Sequence, residues 1–253
     1  MKKPTSKRKR KLVRPRQLAL PVRTHGGARK GAGRKRRAAR PRVVHRTRPK
    51  VDRNHPVHVT IRMRADLPRL RGRVPMRTIV RVLQEARGRF ELRVIQFAVL
   101  RDHLHLLVEC EGRESLSHGM RGLGTRIAIH LNRTFDREGR VFDDRYHARA
   151  LTSPLEARRG LCYVLNNFRK HEAQSGRKLA VRWIDPCSSA TVFDGWRDGH
   201  VGTRVELDLG TLPPRTWLLS KGWRMHGLLD PDEIPGGGWA SATSTAPPSK
   251  PSR

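Results

Sequence analysis

His103 and His105 flank a single leucine, and Tyr163 stands four residues before Asn167; these four side chains are where the sequence could do chemistry. Residues two apart in a strand point to one face, so the run HLHLLVEC from His103 to Cys110 projects two imidazoles side by side. The rest of that run has the apolar content of a strand in the middle of a sheet. Two polar rings there cost free energy unless something binds them, and imidazole nitrogen is a common ligand for divalent metal. The plainer alternative is two partly exposed histidines with ordinary hydrogen bonds. On a helix, Tyr163 and Asn167 stack one turn apart. Measured from Leu161, the apolar set Ala157, Leu161, Val164, Leu165 and Phe168 clusters within about 60°, whereas Tyr163 and Asn167 fall at about 200° and 240°. The phenol is therefore expected off the apolar face, beside Gly160, Lys170, His171 and Gln174, where a phosphate has room to approach. An amide one turn further on can offer an oxygen to a hard metal. A surface tyrosine bonded to water is the competing reading.

The elements that must position these groups alternate between strand and helix. PVHVTIRM, residues 56–63, is β-branched and alternates, which reads as a strand. Ile79, Leu83, Ala86 and Phe90 then recur at helical spacing. Residues 92–100 and 103–110 are two strands separated only by Arg101 and Asp102, which suits a hairpin and excludes a parallel crossover. A helix over 115–135 carries the stripe Leu116, Met120, Leu123, Ile127 and Leu131, interrupted by glycines. A short strand over 146–151 leads to a third helix, marked by Ser153 as N-cap, Pro154 and Glu156 in a capping box. The order β-α-β-β-α-β-α predicts an α+β fold, an antiparallel sheet with helices packed on it, of the split βαβ type.

Charge points to the partner. Lys and Arg number 55 against 22 Asp and Glu, leaving +33, and a field of that sign attracts polyanions, nucleic acid first. Residues 1–50 hold 21 of the cations and no acid, so they read as an arm that does not fold alone. Its GGARKGAGRKRR stretch, with Arg29, Lys30, Arg34, Lys35, Arg36 and Arg37, is expected to track phosphates without reading bases; a merely solvated tail is the alternative. Residues 51–173 form the folded domain and 174–240 an extension. The Ser/Thr/Pro-rich stretch over 241–253 reads as a second disordered tail. All five tryptophans fall in the extension, either anchoring it on the core or offering stacking platforms for bases. Three cysteines without close spacing suggest neither a disulfide framework nor a thiolate zinc site. No apolar run approaches the roughly 20 residues of a membrane span, and no apolar signal core opens the sequence.

Taken in order, the RVIQFAVLRDH hairpin, the HLHLLVE strand, the GRVFDDRYHARAL segment and the YVLNN helix resemble the single-tyrosine HUH endonucleases. Within these the chain is most similar to the transposase-like proteins associated with repetitive extragenic palindromes in bacteria. The likeness spans roughly residues 54–173. It implies that His103 and His105 hold a divalent ion, Mg²⁺ or Mn²⁺, that Tyr163 is the nucleophile, and that Asn167 completes the metal site. Asp102 stands where the family often has Asn, and Phe168 where it often has Pro; neither change removes an implied group. The implied activity is cleavage and rejoining of single-stranded or hairpin-forming DNA through a 5′-phosphotyrosine, by a monomer or homodimer in the cytoplasm, associated with the nucleoid. Lys170 is expected to contact DNA. Two alternatives stay open: a catalytically silent DNA-binding protein of the same fold, and a packaging protein that uses only its polycation.

Overall fold

The structure is a computed structural model that describes residues 51–199 and 207–236. All of them belong to the larger of two compact units into which the chain divides, residues 42–253. The basic arm, with Arg29, Lys30, Arg34, Lys35, Arg36 and Arg37, lies outside the described residues, as do the tail expected from 241 onward and Trp239.

The alternating run of the first strand forms β1 (Val57–Arg62), and the hairpin forms β2 (Leu92–Val99) and β3 (His103–Cys110). With the short β4 (His147–Ala150) they make a four-stranded antiparallel sheet in the order β2-β3-β1-β4. The hairpin closes through Arg101 and Asp102, with Leu100 N–H donating to His103 C=O at 2.8 Å. Alternation then gives the sheet two unlike faces. Val57, Val59 and Ile61 of β1 and Leu104, Leu106 and Val108 of β3 point one way, into the main core. His58 and Thr60 of β1 and His103 and His105 of β3 belong to the other face, with Thr60 paired opposite His105.

Helices α1 (Arg73–Ala86) and α2 (Arg113–Thr134) cover the first face with Ile79, Val82 and Leu83 and with Leu116, Met120, Leu123, Ile127 and Leu131. The expected stripe on α1 loses its last member. The chain leaves the helix after Ala86, and Phe90 lies beyond it at φ 62°. Gly119 lets α2 close on β2, since a Cβ there would meet the Leu92 Cβ at 2.4 Å. On the second face lie α3 (Pro154–Leu165) and α4 (Asn167–Gln174). Ala157, Leu161, Val164 and Leu165 of α3 pack there on Ile95, Ala98 and Leu107 of the sheet.

At the start of α3, Ser153 Oγ accepts from Glu156 N–H at 3.2 Å, as an N-cap should. The reciprocal half of the expected capping box is absent: Glu156 Oε2 accepts instead from Thr152 N–H and Oγ–H, both at 2.8 Å. A second departure matters more. The single helix expected to run through Tyr163 to Gln174 is broken at Asn166, at φ −103° and ψ 14°.

Beyond α4 the chain returns over the second face. Trp196 and Trp223 are fully buried there with Phe193, Leu218, Leu219 and Leu229. Each indole takes roughly 150–250 Å² from water, worth roughly 4–6 kcal/mol, so these two act as anchors. Trp217, on the short helix α5 (Trp217–Ser220), is 54 % exposed. Leu212 N–H donates to Val94 C=O at 2.9 Å, and Glu109 accepts from the Arg215 and Thr216 amides and the Thr216 hydroxyl. Among the described residues no helix is long and apolar enough to cross a membrane.

Candidate active site

The i, i+2 spacing on β3 does what alternation requires: the rings of His103 and His105 stand edge to face, 4.8 Å apart. Both are buried. His103 Nδ1 lies 2.7 Å from Asp102 Oδ1, and this bond holds the Asp102 carboxyl down at about 2. His105 Nδ1 lies 3.1 Å from Thr60 Oγ1 and 3.1 Å from His58 Nε2. Its other nitrogen, Nε2, is buried without a hydrogen-bond partner. Burial keeps both partner rings neutral: it pushes His105 well below the usual histidine range and His58 down to about 3.

Sequence reasoning passed over His58. The signal was present in the alternation of β1, where His58, Thr60 and Arg62 are polar and Val57, Val59 and Ile61 apolar. A strand with one polar face, yet with His58 only 7 % exposed, has that face turned toward something other than water.

Tyr163 comes to this group from α3. Its ring centroid lies 5.2 Å from His105 and 5.5 Å from His58, edge to face in both cases. As expected, Tyr163 stays out of the apolar cluster of α3, but it is not on the surface; 9 % of it is exposed. That burial raises the phenol's pKa, while the nearby Asn167 amide pulls the other way. Asn167 is fully buried, and neither Oδ1 nor Nδ2 makes a hydrogen bond of good geometry. Lys170 Nζ lies 4.9 Å from the Tyr163 ring centroid. Lys170 is buried as well, which lowers its pKa. The His171 ring lies 5.7 Å from His103, and burial lowers its pKa too. The fold therefore gathers His103, His105, Tyr163, Lys170 and the unforeseen His58 by direct contact, with Asn167 joining through Tyr163.

The donor set fits a divalent ion on one specific ground, the unsatisfied groups. A buried imidazole nitrogen has no hydrogen-bond partner and the two polar atoms of a buried amide make no hydrogen bond of good geometry, whereas such atoms normally do. Each histidine has its Nδ1 engaged and its Nε2 left over, the second-layer arrangement that orients metal-binding imidazoles. Among the described residues no three His, Cys, Asp or Glu side chains converge on a common point, so the set is two imidazoles and an amide.

Residues 52–159 match the family described as Transposase IS200 like. The matched segment contains His58, His103 and His105 and ends four residues before Tyr163. A search of the curated proteins returns no match. Among solved structures, a REP-associated tyrosine transposase bound to a REP hairpin is 16 % identical, with a TM-score of 0.44 over 58 % of this chain and 82 % of that one. A protein assigned as a transposase in Deinococcus radiodurans is 11 % identical, with a TM-score of 0.34 over 55 % of this chain and all of that one. The matched segment, a little under half of the chain, takes in the strands that carry the three histidines, the two helices on the far side of the sheet and the start of α3, and it is these parts that are similar to the IS200-like transposases.

Proposed function

We propose that this protein is a metal-dependent endonuclease and strand transferase for single-stranded or hairpin-forming DNA, with Tyr163 as its nucleophile. One observation carries the reading. A tyrosine on α3 stands 5.2 Å from His105 on β3, beside a buried imidazole nitrogen without a hydrogen-bond partner and a buried amide that makes no hydrogen bond of good geometry. His103, His105 and Asn167 would hold Mg²⁺ or Mn²⁺, which when bound supplies Lewis-acid stabilisation of the charge at phosphorus.

The remaining steps belong to the chain's own groups. Tyr163 Oη attacks phosphorus, the bond to the 3′-oxygen breaks, the phenol gives up its proton, and the departing 3′-oxygen takes one up. The products are a 5′-phosphotyrosine and a free 3′-hydroxyl, and a 3′-hydroxyl reverses the step. The Lys170 ammonium favours negative charge at the attacking oxygen and on the phosphate. An unpaired strand suits the substrate role, since a flexible single strand can bring one phosphate to a tyrosine that is only 9 % exposed. With +33 of net charge the protein would sit on DNA in the cytoplasm, associated with the nucleoid, as a monomer or homodimer.

The catalytically silent alternative has an observation of its own: burial raises the Tyr163 pKa, away from the phenolate. Labelled single-stranded oligonucleotides incubated with and without Mn²⁺ separate the two. The enzyme gives a denaturation-resistant, metal-dependent adduct that Tyr163→Phe abolishes with binding retained. The silent protein binds and gives no adduct.

A further inference from the structure

We propose that the segment from Gly227 to Glu233 is a clasp that sets the break between α3 and α4, and that Asn166 is the positioning residue through which this part of the C-terminal extension holds Asn167 beside Tyr163. The consequence for catalysis rests on the roles proposed above for Tyr163 and Asn167; the clasp itself does not.

Sharp helix breaks usually have a local cause, a proline or a glycine. The stretch Leu165-Asn166-Asn167-Phe168 has neither, so the cause lies elsewhere in the fold. Asn166 is buried, and its Nδ2 donates to the carbonyls of both Asp230 and Glu233 at 2.9 Å. The amide's two donors thus meet two acceptors on one segment. That segment also grips the helices on either side. Arg158 of α3 forks onto the Glu233 carboxylate at 2.8 and 2.9 Å and donates to Gly227 C=O and Leu228 C=O. Arg169 of α4 pairs with Asp232 at 2.9 Å, and Asp232 also accepts from Arg182 N–H at 2.8 Å.

The clasp is fixed at its own base. Leu229 exchanges backbone hydrogen bonds with Gly195 and Arg197 on either side of the buried Trp196. A helix running on without a break would free these acceptors and shift the face that α4 presents. Asn167 is the first residue of α4, so the break decides where its amide stands relative to Tyr163.

The test is Asn166→Asp in the full chain, which keeps the side chain's shape and removes both donors. Asp232→Asn loosens the clasp at its more exposed side and serves if the first variant folds poorly. Amide hydrogen exchange of α4 should accelerate about tenfold while β1 and β3 stay unchanged. The Mn²⁺-induced rise in Tm should shrink, and kcat for oligonucleotide cleavage should fall with KM unchanged. Unaltered exchange in α4 for both variants overturns the clasp. Faster exchange with Mn²⁺ stabilisation and kcat intact overturns the positioning role. If the wild-type protein shows neither adduct nor Mn²⁺ stabilisation, the proposed chemistry is what fails, and the exchange rates alone decide the clasp.

Discussion

Lys170 is 8 % exposed as a residue, and its ammonium makes no hydrogen bond or ion pair among the described residues, so it is free to take an incoming anion. It lies over the Tyr163 ring, where the proposed chemistry would bring a substrate phosphate. Lys170→Met should lower the slope of log affinity against log salt by about 1 for single-stranded DNA, as expected for one lost phosphate contact. An unchanged slope would remove Lys170 from the interface. His58 makes a different demand. Its Nε2 faces His105 Nδ1, and if it accepts that proton, His105 Nε2 keeps the lone pair a metal needs. His58→Phe should therefore weaken Mn²⁺ binding, read by calorimetry, by about 10–100-fold. The pairing of His103 with His105 was legible because a strand has a period of two and nothing else is needed. His58 was not, because its partner lies 47 residues along the chain and only strand register brings the rings together.

Among the elements, local signals proved readable and tertiary ones did not. The hairpin followed from a two-residue gap, and the start of α3 from Ser153 and Pro154. Ser153→Ala should cost about 1 kcal/mol in urea denaturation, since it removes the acceptor for the Glu156 amide. A loss near zero would mean that the Glu156 side chain, bonded to Thr152, already secures the turn. The break at Asn166 left no trace in the helical periodicity, because the carbonyls that receive its amide come from residues 230 and 233. Tyr163 shows the same limit. Its angle on the helical wheel placed it off the apolar face, and so it is, but a wheel cannot show that a second face packs on the histidine side of a sheet. Lys170 is buried for the same reason, although its neighbours on the wheel are polar.

At the scale of the whole molecule, the buried histidines couple stability to pH. The folded state holds His58 at about 3, whereas an unfolded chain titrates it near the ordinary 6.5. Between those values the unfolded state binds a proton that the folded state refuses, so this stability is present in full above pH 6.5 and is lost as pH falls. The slope is about 1.4 kcal/mol per pH unit for one such group, with His105, His147 and His171 shifted in the same direction. Urea midpoints measured from pH 7.5 down to 4.5 should decline accordingly, and more gently in His58→Phe. Equal slopes in the two proteins would mean that His58 is protonated in the folded state.

The covalent role of Tyr163 is the centre of the account, and the sequence offers a clean way to locate it. Trypsin should release residues 160–169, a peptide that contains Tyr163 and no other tyrosine, while Tyr146 falls on a separate fragment. After incubation with a single-stranded oligonucleotide and Mn²⁺, followed by nuclease digestion, mass spectrometry should find a 5′-phosphonucleotide on Tyr163 in that peptide, and none when Mn²⁺ is left out. The modification on the Tyr146 fragment, or no modified peptide with any single-stranded or hairpin substrate, would contradict it.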